Sequence, residues 1–157
     1  WRGPWAGISR TNWILTNIDK SPKISDAKKT QYKGEAHFLR GLYYFNLVRL
    51  FGDVPWIDKQ QTASDDLQVS RTSKDIVYQH IIDDFSDAAS MLPAVYENTT
   101  DIGRATKGAA FGLLAKVYLT LKRYNETLVA IDSVMNLGVY SLMEFQRFAR
   151  KRSREFI

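Results

Sequence analysis

Residues 34–56 read GEAHFLRGLYYFNLVRLFGDVPW, and the spacing of the apolar residues in this stretch decides the fold. Phe38, Leu39, Leu42, Tyr43, Phe45, Leu47, Val48, Leu50 and Phe51 recur at three- and four-residue steps, the signature of a helix. They cover more than half of its circumference, which predicts a helix packed on both sides rather than a surface helix with one apolar stripe. Gly52 follows the last apolar residue, where a left-handed C-cap favours glycine, and Pro55 prevents the helix from resuming. The stretch therefore predicts a central helix, a hard stop and an extended exit that carries Trp56.

Within it, FLRGLYYFNLVRLFGDVPW (residues 38–56) strongly resembles the signature helix of the SusD/RagB-like family. GRATKGAAFGLLAKVYLTLKRYNETLVAIDSVM (residues 103–135) looks like that family's second tetratricopeptide-like segment, and the opening WAGISRTNWILTNI (residues 5–18) is a weaker third match. The three run along nearly the whole chain in the family's order. The resemblance implies a non-enzymatic, cell-surface, nutrient-binding lipoprotein of Bacteroidetes-type bacteria, anchored by lipid in the outer membrane. Such proteins capture polysaccharide or oligosaccharide, or in some cases peptide, and act as a lid over a SusC-like TonB-dependent transporter. Their helical repeats mainly supply scaffold and transporter contacts. Ligand residues vary among similar proteins, so the resemblance assigns none here.

Composition narrows the classes. At 157 residues, the chain is long enough for one domain that buries roughly 70% of its unfolded surface. The absence of cysteine excludes a disulfide framework, a thiol nucleophile and a cysteine-ligated metal. Of the net charge of +5, the tail from Arg147 onward supplies +4: Arg147, Arg150, Lys151, Arg152 and Arg154 against Glu155. A nucleic-acid protein spreads its basic residues over a face or groove, so no nucleic-acid partner is expected. Trp1-Arg-Gly-Pro has neither a basic start nor an apolar run, and no apolar stretch reaches the roughly 18 residues of a membrane span. The chain looks like a fragment from the middle of a longer parent, with the lipid anchor outside it.

Taken in order, residues 5–19 predict a short amphipathic helix that Ser21-Pro22 breaks. Ser25 or Asp26 caps the next helix, which runs into the central stretch. Asp58 to Ser73 is a polar loop, and Thr72 or Ser73 caps a helix from Lys74 to about Leu92, ended by Pro93. A second loop spans 94–104. Thr106 starts a helix to Leu121, and Arg123-Tyr124 turns into another ending at Gly138; the pair spans about 34 residues, the tetratricopeptide period. Phe111, Ala115, Tyr118, Tyr124, Ile131 and Val134 fall near the repeat's packing positions, with Thr127 where a small alanine is preferred. The expectation is an all-α fold of tetratricopeptide-like antiparallel helix pairs with two long loops. Residues 1–157 form a single helical region, with a first helix pair at 5–57 and helices over 74–138 that include the repeat-like pair.

No catalytic constellation emerges. Gly103-Arg-Ala-Thr-Lys-Gly108 lacks the spacing of a phosphate loop and follows no strand. His80 with Asp83, Asp84 or Asp87 falls short of a metal site, which needs three or four supported ligands. His37, inside the apolar stretch, reads as a hydrogen-bonded, partly buried histidine. No enzyme activity, cofactor or metal is expected. Most aromatics sit at helical spacing and belong to the core. Trp1, Trp5, Trp56 and Tyr96 lie at or beside loops and are the ligand-binding candidates, because a flat indole offers the C–H face of a sugar an apolar platform. Asp53 and Asp58 flank Trp56 as polar neighbours. The alternative class is a soluble tetratricopeptide adaptor that binds peptides or protein partners. It predicts more repeats at a strict period, and the FGDVP stop is foreign to it.

Overall fold

The computed structural model describes residues 2–62, 64–65 and 68–141. Five helices follow one another: α1 (Arg2–Asn17), α2 (Asp26–Phe51), α3 (Lys74–Met91), α4 (Lys107–Thr120) and α5 (Tyr124–Asn136). Short 3₁₀ turns at Ile18–Lys20 and Thr99–Asp101 lie between them. Among the described residues the fold is all-α; an isolated antiparallel bridge joins Val54 to Thr72. Each helix packs on its sequence neighbour, so α2 lies between α1 and α3 and α4 links α3 to α5.

The central helix packs on both sides, as its apolar pattern predicts. Tyr44, Phe45 and Leu47 of α2 are at most 1% exposed and meet Ile8 of α1 and Val77, Ile81 and Phe85 of α3 in one core. Burying each such side chain stabilises the fold by roughly 1.5–3 kcal/mol. Gly34 and Gly41, two turns apart on α2, let α3 approach. A Cβ on Gly34 would lie 2.9 Å from Met91 Cβ, and one on Gly41 would lie 3.2 Å from the Phe85 ring.

The Ser25 hydroxyl caps α2 by accepting from Lys28 N, and Gly52 ends it at φ +68°. The start of α3 differs from expectation. Ser73 stands at the N-cap position but its side chain makes no capping bond. The carboxylate of Asp53, just past the end of α2, accepts from Lys74 N at 2.8 Å instead. With the Thr72 N to Val54 O bond of 3.0 Å, this ties the far end of the long loop back to the stop of α2. Asp53 is thus a capping residue rather than a polar neighbour waiting beside Trp56.

The α4–α5 pair also departs from the repeat pattern. Thr127 and Ala130 are the buried residues of α5, and the Thr127 hydroxyl donates to Arg123 O at 2.9 Å. Tyr124 and Ile131, expected at packing positions, are exposed, together with Leu128, Val129 and Met135. α5 therefore covers α4 with a narrow stripe of small residues and turns its large apolar side chains outward.

Candidate functional site

Among the described residues, a dense hydrogen-bond network surrounds Arg40, which lies on the central helix and is 8% exposed. A helix with apolar residues over most of its surface leaves a guanidinium no solvent, so the group must find partners on the neighbouring helices. It forks onto Asp84 of α3: Nε donates to Oδ2 at 2.9 Å and Nη2 to Oδ1 at 2.7 Å. Nη1 donates to Asn12 Oδ1 of α1 and to the carbonyl of Asp58, both at 3.0 Å. His37 Nδ1 lies 2.8 Å from Asp84 Oδ1. The hydrogen-bonded histidine expected at position 37 is therefore present, and its partner lies on α3. Among the described residues, no buried side-chain polar atom is left without a partner.

The same residues immobilise the chain after Trp56. Asn12 Nδ2 donates to the carbonyls of Ile57 at 2.8 Å and Lys59 at 3.3 Å. The Tyr44 hydroxyl accepts from Ile57 N at 2.8 Å and donates to Ile57 O at 3.2 Å. Burial pushes the Tyr44 phenol well above its ordinary range, so it stays protonated and able to donate. Three consecutive carbonyls, those of residues 57, 58 and 59, are thus held by side chains of α1 and α2.

The four candidate aromatics fall in different places. Trp56 stacks on His80 of α3 (centroids 4.4 Å apart, planes 13° apart), packs on Tyr44 at 4.2 Å and lies 5.4 Å beneath the Arg40 guanidinium. Its ring is already engaged within the fold, and His80 is its stacking partner rather than a member of an acidic cluster. Trp5 meets Tyr44 edge-on at 6.0 Å and lines an open cavity of about 230 Å³ with Ile8, Ser9, Asn12, Ile57, Lys59 and Gln61. Tyr96 is elsewhere: its hydroxyl donates to Ala105 O at 2.8 Å and Glu35 Oε1 at 3.1 Å. Glu35 lies nine residues before Tyr44 on α2, roughly 13 Å away along the axis. Burial and the Glu35 charge push the Tyr96 phenol up to about 12. Trp1 lies outside the described residues, as do Asp66 and the basic cluster from Arg147 onward.

Arg104 anchors this second cluster by forking onto Glu35, with Nε donating at 2.8 Å and Nη2 at 2.6 Å. Burial raises the Glu35 pKa, but hydrogen bonds from Arg104, Gln31 and Tyr96 outweigh it and leave the carboxyl below its ordinary value. The cluster pins the second loop to the start of α2. Sequence reading missed two residues of interest. Arg40 was hidden among apolar neighbours. Trp13, one turn after Ser9 on α1, is 57% exposed, and helical spacing alone could have placed it beside Ser9 on the outer face. Among the described residues, no group of three or more His, Asp or Glu is placed to hold a metal ion. No helix among them is long and apolar enough to cross a membrane.

Five helices, each packed on its sequence neighbour, with an extended segment clamped beside the first, form an all-helical, repeat-like scaffold. The family profile for SusD-like proteins, described as starch-binding and associating with the outer membrane, matches residues 1–119, and the chain belongs to this family. A SusD-like protein of Bacteroides ovatus is 32% identical over 127 residues, which is 80% of this chain and 22% of the relative. The starch-binding protein SusD of Bacteroides thetaiotaomicron is 27% identical over 133 residues, 76% of this chain and 23% of its own length. Among solved structures, a SusD-like protein from Bacteroides fragilis superposes with a TM-score of 0.85 at 36% identity, covering 90% of this chain and 27% of the other. A laminarin-binding SusD-like protein superposes with a TM-score of 0.80 at 31% identity, covering 85% of this chain and 29% of that one. The chain thus spans about a quarter of the length of the curated relatives it matches.

Proposed function

We propose that the protein containing this chain is a non-enzymatic glycan-binding protein at the cell surface. On this reading it is anchored to the outer membrane by lipid and delivers polysaccharide or oligosaccharide to a SusC-like TonB-dependent transporter. The observation that carries the reading is membership of the SusD-like family over residues 1–119, supported by relatives whose names record binding of starch and laminarin. The chemistry near α1 is compatible with it. An indole, an amide, a hydroxyl and an ammonium line one cavity, and apolar surface with a few placed polar groups suits a sugar. The extended segment beside them is fixed before any ligand arrives, which lowers the ordering cost of binding.

Calorimetric titration of the full parent protein with laminarin, soluble starch and a set of unstructured peptides tests the reading, with chromatography of the glycans after incubation. The expected result is saturable binding to one glycan class with chain length unchanged. Binding to peptides alone would favour the adaptor class, and shortened glycans would make the protein an enzyme.

A further inference from the structure

We propose that the cavity between α1 and the clamped segment receives one sugar ring of the glycan, with the Trp5 indole as its apolar platform. This rests on the glycan-binding reading above and assigns it a subsite.

At about 230 Å³ the cavity is smaller than the roughly 300–1,000 Å³ that drug-sized ligands occupy. It therefore suits one ring of a longer chain that continues into solvent. The walls carry matching chemistry. Trp5, Ile8 and Ile57 supply apolar surface, while Ser9, Lys59 and Gln61 are polar side chains at exposed positions. Hydroxyl, ammonium and amide together donate to and accept from ring hydroxyls. Among the described residues that line the cavity, none is a carboxylate and Lys59 carries a positive charge, which favours a neutral or carboxylated sugar over a cationic one.

The wall is also rigid. Asn12 is fully buried, with its amide nitrogen on the carbonyls of Ile57 and Lys59 and its oxygen accepting from Arg40. The cavity wall is therefore fixed to α1 and α2 from behind. Ile57, Lys59 and Gln61 line the cavity while Trp56 does not, the alternation expected of an extended chain. Trp56, committed to His80, Tyr44 and Arg40, acts as the anchor of the segment rather than the surface that meets the sugar.

The test uses the full parent protein, titrated calorimetrically with laminarin and soluble starch, and two variants whose folding is followed by thermal melting. Ser9→Phe places a ring in the cavity from an exposed position and is expected to weaken binding tenfold or more with melting unchanged. Trp5→Ala removes the platform and is expected to weaken it about tenfold, the scale of one aromatic contact. If the parent binds either glycan and Ser9→Phe binds as tightly as the unmodified protein, the subsite is wrong and the function stands. If the unmodified parent binds neither glycan, the glycan-binding reading falls and takes the subsite with it.

Discussion

Arg40 shows how one residue can hold together elements far apart in sequence. Its guanidinium reaches α1 through Asn12, α3 through Asp84 and the exit segment through the Asp58 carbonyl. Bringing both charges out of water is costly, and the pair is worth keeping only because the fork and its neighbours use nearly every donor and acceptor. Truncation leaves Asp84, 2% exposed, without its cation. Arg40→Ala is expected to lower the unfolding free energy by about 3–5 kcal/mol, read by urea denaturation; a loss under about 1 kcal/mol would mean that the network relaxes around water. Glu35 gives a pH signature. Its carboxyl is held below the ordinary value of 4.5, so its contribution to stability is present above that value and is lost as pH falls through the folded pKa. Melting curves from pH 7 to pH 3 should therefore fall more steeply for the native sequence than for Glu35→Gln. Parallel curves would remove Glu35 as a source of acid sensitivity.

At the scale of elements, the stop of one helix starts the next. Gly52 ends α2 with φ +68°, and Asp53 immediately caps α3 across the base of a long loop. Asp53→Ala is expected to cost about 1 kcal/mol, the usual value of an N-cap, and to speed amide exchange of Lys74 and its neighbours in the first turn of α3. Equal exchange in the variant would show that Ser73 takes over. The contact of α2 with α3 depends on small residues. Gly34→Val must push Met91, whose Cβ lies 2.9 Å from the position of the added carbon, and is expected to cost roughly 1–3 kcal/mol through overpacking. Thermal melting of the variant measures this; an unchanged melting temperature would mean that the end of α3 moves freely.

At the scale of the whole molecule, the helices were legible in the sequence because their determinants are local. The apolar spacing of residues 38–51 and the capping choice of Ser25 or Asp26 act within one helix, and the structure shows that helix capped by Ser25; Gly52 ends it at positive φ as expected, but its ψ of −125° lies outside the left-handed helical region. The buried polar network was not legible. Arg40 and Asp84 are separated by 44 positions, and helical periodicity carries no information about which polar residue on one helix faces which on another. The same limit explains α5. Spacing placed Tyr124 and Ile131 near packing positions, yet the close approach of α4 selects the small face of Thr127 and Ala130. For the site, sequence pointed to aromatics beside loops. Both Trp56 and Trp5 pack against the core, and only Trp5 also lines the cavity beside α1. Stacks of helix pairs expose lateral surfaces of this kind, and the outward face of α5 is another.

Asn12 and Thr16 of α1 and Arg40 and Tyr44 of α2 hold residues 57–60, a preformed edge for the proposed sugar subsite. Hydrogen–deuterium exchange of the full parent protein, with and without the glycan that titration identifies, reads this edge in place. Glycan is expected to slow exchange further in residues 57–61 and on α1 near Ser9, and to leave α5 unchanged. Saturable binding with no change in either segment would contradict the subsite, because the ligand would then be held by other parts of the protein.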